Sequence, residues 1–158
     1  MAYLPDVARL EWAINQAWHA DDPVAAPLDA LRSLDGNEGE DVTFGFDPSL
    51  ALVASPWPVD VIWRANQPDA DGEATVDATT DPVWLEVRRL GDDVVFRRLG
   101  AATFTLRRAL LDGECLGAAV ETAAAEDAAF DLTDELLSLF QERVLTSAHR
   151  APRRGATW

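Results

Sequence analysis

The side chains best suited to catalysis or metal binding are sparse in this 158-residue sequence: two histidines and one cysteine. His19 is followed by Asp21 and Asp22, which could begin a metal site, but the other histidine, His149, stands near the far end and no third ligand has diagnostic spacing. The group reads instead as a helix-end histidine among solvated acids. Cys115 as a nucleophile needs a histidine base, and none is near it in sequence, so it reads as a small buried thiol at a helix start. Gly36, Gly39 and Gly45 are followed by acids or by a strand rather than by a helix N-terminus, so they do not form a phosphate-cradling loop. Carboxylates are abundant, and no pair stands out as an acid/base couple. The expectation is a non-catalytic protein with no metal and no cofactor of its own.

Arginine is the one charged residue with a pattern. All 13 basic residues are Arg; Arg88, Arg89, Arg97 and Arg98 fall near mirrored positions of a hairpin, and Arg107 and Arg108 follow on the next helix. Neighbours in a strand point to opposite faces, so at most half of the hairpin set shares one surface. Three readings compete. The arginines solvate an edge strand and pair with the chain's own carboxylates; or they receive an acidic peptide or partner face; or they contact nucleic acid as a wing does. The net charge of −15, from 28 acidic residues, opposes the third, because such a surface repels phosphate backbones.

The elements that would position these residues are legible from periodicity. "LPDVARLEWAINQAWHA" places Val7, Leu10, Ile14, Ala17 and Trp18 at helical spacing behind Pro5 and Asp6, which predicts an amphipathic helix of about four turns. "DDPVAAPLDALRSLDGNEGED" is mostly connection. "DVTFGFDPSLALVAS" gives two short strands, one with Val42, Phe44 and Phe46 alternating, the other with Leu50, Leu52 and Val53 after the Asp47-Pro48 turn. In "SPWPVDVIWRANQ", Val59, Ile62 and Trp63 mark one face of a short helix, while Pro56 and Pro58 hold Trp57 on a stiff turn. The acidic stretch 69–81 has the composition of a linker. "PVWLEVRRLGDDVVFRRLG" then predicts a hairpin turning at Gly91-Asp92-Asp93. Three short helices follow, separated by Gly113 and by "EDAAFD"; the last starts at Asp131 as N-cap and carries Leu132, Leu136, Leu139 and Phe140 on one face.

This inventory predicts an α+β protein: a helical and short-strand first lobe (1–68), an acidic linker (69–81), a winged-helix-like lobe of hairpin plus three helices (82–146), and a flexible tail (147–158). With 48% hydrophobic residues the chain can bury a real core. One cysteine allows no internal disulfide, and neither a membrane-spanning run nor a secretory signal is readable, so the expected location is the cytoplasm, with no membrane partner.

At "YLPDVARLEWA", "SPWPVDVIWRANQ" and "LRRALLDGECLGAAVETAAAEDAAFDL…LLSLF" the chain resembles the second half of the BufC/HvfC family, some of whose members carry a DNA-binding label. The methanobactin partner subunit is a more distant likeness. The resemblance spans nearly the whole chain except the tail, and its most specific string is Pro58-Val59-Asp60-x-Ile62-Trp63-Arg64-x-Asn66-Gln67. Members carry a further N-terminal helical domain ahead of the segment matched here from Tyr3, and whether it is supplied elsewhere stays open. At Cys115 relatives have a small hydroxyl residue suited to capping the helix.

The resemblance implies a non-catalytic partner of a multinuclear non-haem iron oxidase of TIM-barrel fold, a protein that helps recruit a ribosomally made precursor peptide for cysteine modification. The iron would belong to the oxidase. On this reading Trp57, Trp63, Arg64 and Asn66 form part of the surface against the oxidase, since rigid aromatics and Arg dominate interface hot spots. The hairpin, with Val83, Leu85, Arg88 and Arg97, would accept the leader of the precursor as an added strand. The alternative is a transcriptional regulator that applies the winged-helix-like lobe to DNA.

Overall fold

The computed structural model describes residues 1–24, 40–68 and 82–150. The chain is α+β: its described residues form five helices and five strands, in one antiparallel sheet of two strands and another of three. They fall into two compact units, within Met1–Asp21 and Pro48–Gly100, and within Asp22–Asp47 and Ala101–Trp158. The connection at 25–39, the expected linker at 69–81 and the tail from 151 lie outside the described residues.

The first unit begins with helix α1 (Leu4–His19), which has Pro5 in its first turn, where a missing N–H leaves no bond unmade. Leu10, Ala13 and Ala17 are its buried stripe. Its C-terminus is closed by the His19 imidazole, whose Nδ1 donates to the Asn15 carbonyl 2.9 Å away, so this histidine does the helix-end work its position suggests. Strands β2 (Ala51–Ser55), β3 (Val83–Leu90) and β4 (Asp93–Arg98) form the sheet in the order β2-β3-β4, with β1 (Val42–Phe46) belonging to the other unit. Val83, Leu85 and Val87 alternate onto the core face, where they meet Leu10, Ala13, Ala17 and Val53, together with Val59 of helix α2 (Val59–Ala65). The hairpin turn is tighter than expected: Leu90 pairs with Asp93, which leaves Gly91 and Asp92 as a two-residue loop. Gly91 takes φ +62° there, a conformation that a side chain would strain.

The second unit pairs β1 with β5 (Leu145–Arg150) as an antiparallel ladder from Val42↔Arg150 to Phe46↔Leu145. Helices α3 (Ala101–Leu111), α4 (Leu116–Glu126) and α5 (Leu132–Gln141) supply its core, with Leu106, Leu110, Ala119, Ala123, Leu139 and Val144 all fully buried. Helix α3 ends in a Schellman turn, Glu114 N–H donating to Ala109 O at 3.0 Å, with Gly113 at φ +87°. Helix α5 is capped by Asp131, whose carboxylate accepts from the Thr133 and Asp134 N–H groups, as its sequence position predicts. Helix α4 has Cys115 as N-cap in an extended conformation and no side-chain cap bond.

Two expectations change. The hairpin and the three helices belong to different units, so they do not assemble as one winged-helix lobe; β2 and α1 provide the apolar cover that the hairpin needs. The two short strands at 42–46 and 51–55 form where the sequence marks them, and each pairs with a strand remote in sequence. The expected flexible tail is ordered to Arg150: Leu145–Arg150 is a strand because β1 offers it a ladder of backbone hydrogen bonds, which compensates for the weak apolar pattern of "LTSAHR".

Arg107, grouped with the hairpin arginines by sequence, is instead 1% exposed in the second unit. Its Nε lies 2.6 Å from Glu135 Oε1, Nη1 lies 3.6 Å from Glu142 Oε2, and Nη2 donates to Ser138 Oγ at 3.3 Å. Removing the nearest counter-ion of a buried charge is destabilising even where a second, more distant carboxylate remains, as Glu142 does here. Glu135→Ala is therefore expected to lower stability by about 3 kcal/mol in urea denaturation, the lower end for a broken buried pair because Glu142 stays, and Arg107→Met combined with Glu135→Leu to recover most of that loss. Cys115→Ser, which adds the missing cap, is expected to raise stability by about 0.5–1 kcal/mol in the same measurement.

Candidate partner and peptide surfaces

The candidate residues of the "SPWPVDVIWRANQ" segment are set by a short polar chain beneath it. Asp6 of α1 is buried; its Oδ2 accepts from Ser55 Oγ at 3.0 Å, and the same Oγ accepts from the Trp57 N–H at 3.0 Å. Asp6 Oδ1 is also 2.7 Å from Arg9 Nη1. This chain ties the proline-bracketed turn to the first turn of α1. Pro58 then acts as N-cap of α2, and its carbonyl receives the Val61 and Ile62 N–H groups.

The four residues expected at a partner surface do not share one role. Trp57 is partly buried and packs against the core of the first unit, so it is more wall than free anchor. Asn66 is exposed, but its Nδ2 donates to the Ile62 carbonyl at 2.7 Å and closes the end of α2. Trp63 and Arg64 do come together, and they do so around Phe96 of β4. The Trp63 ring meets Phe96 edge-on, with centroids 5.4 Å apart and planes at 86°, and the Arg64 guanidinium stands 4.5 Å from the Phe96 centroid. Phe96 was not singled out by the sequence reading; only the pairing of β4 brings it to α2.

Asp60 fixes that arrangement. Its side chain is buried, and Arg98 of β4 grips it with two hydrogen bonds, Nε to Oδ2 at 2.8 Å and Nη2 to Oδ1 at 2.9 Å. Arg64 adds a looser contact at 3.5 Å. Burial pushes the Asp60 carboxyl up, but the Arg98 hydrogen bonds and charge, with the Val61 N–H and Arg64, pull it below its ordinary value of 3.8.

The hairpin residues expected to hold a peptide divide by face. Val83 and Leu85 are buried on the core side, and β3 is the central strand, paired on both edges, so neither their side chains nor the backbone of β3 can receive an added strand. Arg97 stands opposite Glu86 in the β3–β4 register and holds its carboxylate at 3.0 Å through Nη2. Arg88, two residues along β3 from Glu86, approaches it to 3.9 Å. Glu86 is only 1% exposed, so this is a carboxylate buried under two guanidiniums. Arg98 and Arg89 take the other face; Arg89 Nη1 donates to the Trp18 carbonyl at the end of α1, 3.1 Å away. The reading of the arginines as partners of the chain's own carboxylates is thus realised at Glu86, at Asp60 and, in the second unit, at Glu135. The edge open to another strand is that of β4: among the described residues no strand pairs with its far side, and Val95, Arg97 and Arg98 are exposed along it.

Among the described residues, no three His, Cys, Asp or Glu side chains gather in a way that could hold a metal ion, and no helix is long and apolar enough to cross a membrane.

The Asp60–Arg98 pair has a definite pH signature. Because the folded carboxyl titrates below the unfolded one, its contribution is complete above about pH 4 and disappears as pH falls through the folded value. Asp60→Asn is expected to destabilise the protein by about 1–2 kcal/mol at pH 7, less than a fully desolvated pair because Arg98 is nearly half exposed. Urea titrations from pH 7 to pH 2 should show the gap between the two proteins narrowing below pH 4; a gap constant with pH would assign the loss to packing instead.

No family model matches the chain, and comparison with curated proteins and with solved structures finds no match either, so its function is read from its own residues and geometry.

Proposed function

We propose that this chain is a non-catalytic partner protein, one that docks on a multinuclear non-haem iron oxidase of TIM-barrel fold and helps present a ribosomally made precursor peptide to it. The resemblance of the segments at Tyr3, Ser55 and Leu106 to the BufC/HvfC family motivates the reading, and one observation carries it in this molecule. The outer edge of β4 lies beside an aromatic and guanidinium surface made by Trp63, Phe96 and Arg64. An edge strand offers backbone hydrogen bonds to any extended segment, and a neighbouring aromatic–Arg surface adds side-chain affinity. On this reading the peptide would pair with the β4 edge and not with β3, with Arg97 exposed beside it.

The DNA-binding alternative draws no support from this arrangement. The hairpin and the three helices lie in separate units, and Arg107 is enclosed by Glu135 and Glu142. The chain's net charge of −15 opposes phosphate binding further.

The test is capture of the tagged protein from its own cell extract, with mass spectrometry and an iron assay on the eluate. An iron-containing TIM-barrel partner is expected with the unaltered chain. Arg64→Gln, which removes the charge without setting a second carboxylate beside Asp60, should reduce its recovery at least tenfold while lowering the thermal midpoint by only about 2–4 °C, the scale of losing one loose ion pair and one ring contact. Trp57→Ala should lower the midpoint as well, because that ring packs on the core. A defined DNA fragment retained at low salt and released steeply as salt rises, with no oxidase in the eluate, would reverse the assignment.

A further inference from the structure

A second feature of the first unit is not used by the edge-strand reading. Helices α1 and α2 leave a groove of about 370 Å³ between them, lined by Glu11, Ile14, Asn15, Trp18, Trp63 and Gln67. That volume is at the lower end of small-ligand pockets, which suits one long side chain better than a cofactor. The sequence pattern counts Trp18 with Val7, Leu10, Ile14 and Ala17 on the apolar side of α1, yet it is 54% exposed, and the buried stripe is Leu10, Ala13 and Ala17. Trp12 of the same helix is more exposed still, at 63%, so what distinguishes Trp18 is its place at the groove beside a second indole, Trp63.

The charges around the groove can be enumerated. Glu11 lies one helical turn before Asn15 and two before Trp18, so its carboxylate is on the same side of α1. Among the described residues it has no ion-pair partner. The two nearby arginines are engaged elsewhere: Arg64 with Asp60 and the Phe96 ring, and Arg89 with the Trp18 carbonyl. The side-chain nitrogen of Gln67 is turned inward onto the Trp63 carbonyl at 3.1 Å. What the groove offers a visitor is therefore two indole rings, a carboxylate and amide oxygen, within a molecule whose net charge of −15 draws cations towards it.

We infer that this groove is a receptor for an arginine side chain projecting from a partner protein. A guanidinium is planar and weakly hydrated, stacks on indole faces, and can donate two parallel hydrogen bonds to one carboxylate, so its chemistry suits both the indoles and the carboxylate that line the groove. A lysine would meet the charge but not the planar surface, and an apolar side chain would leave Glu11 facing it without a counter-ion. The inference stands apart from the oxidase reading, since it concerns the chemistry of the groove and not the identity of the protein that supplies the arginine.

The experiment is an NMR titration of the whole chain with N-acetyl-arginine methylamide, following the indole N–H signals of Trp18 and Trp63, assigned with Trp18→Phe and Trp63→Phe. Both signals are expected to shift and saturate, with a dissociation constant of roughly 1–10 mM for a single side chain. The same compound with citrulline, neutral but equal in shape, should bind at least tenfold more weakly, and Glu11→Gln should weaken arginine binding to a similar degree. Equal binding of citrulline would overturn the inference, because the groove would then be reading shape and apolar surface alone. So would unmoved indole signals, or an affinity unchanged by Glu11→Gln. Since no partner protein is present, none of these outcomes depends on whether an oxidase is captured.

Discussion

The functional face of the first unit depends on one buried carboxylate. Asp60 sits in the first turn of α2, where the partial positive charge of a helix start favours an anion, and it binds both guanidinium nitrogens that Arg98 directs at it from β4. Helix α2 is only seven residues long and would not hold its position by propensity. The Asp60–Arg98 clasp fixes it to the sheet, and the contact of Trp63 with Phe96 and the stacking of Arg64 on the same ring follow from that fixed spacing. Were the clasp absent, Arg64 and Arg98 would lose the carboxylate they share, and the aromatic surface would lose its frame.

The same device recurs. Glu86 under Arg97 and Arg88, and Glu135 against Arg107, are carboxylates taken out of water and repaid with guanidinium hydrogen bonds. In a chain with 28 acidic and 13 basic residues, arginines used this way are not available as a basic patch. Their partners are internal, and the acidic surplus remains to select what approaches from outside. A protein arranged in this manner fits a role in binding other proteins, with cationic or extended segments as the natural visitors, far better than a role on a phosphate backbone.

The two surfaces described for the first unit ask different things of a ligand. As proposed, the β4 edge would read backbone, and so would tolerate many sequences provided the segment is extended, whereas the α1–α2 groove would read one side chain whatever backbone carries it. Trp63 serves both, with one edge against Phe96 and its side on the groove. Under both proposals this rigid aromatic would take part in recognition as well as in the packing of the core.

The sequence by itself determined the elements and their local chemistry. Helical spacing marked α1 and the three later helices, alternation marked the strands at 42–46 and 83–90, Asp131 was legible as a cap, and the Gly91 turn was legible because few other residues accept its φ. Those signals act over one or two turns of chain, where periodicity and capping are decided. Tertiary structure alone decided the pairings. Nothing local says that β2 joins β3 while β1 waits for β5, about a hundred residues further on, and so the hairpin was assigned to the wrong neighbours and the strand at 145–150 to the tail. The site shows the same division. Trp63 and Arg64 were visible as residue types, but Phe96, Asp60 with Arg98, and the exposed Trp18 acquire their roles only when segments remote in sequence are brought within a few ångströms, because the burial and charge pairing that give a side chain its task are properties of the packed neighbourhood.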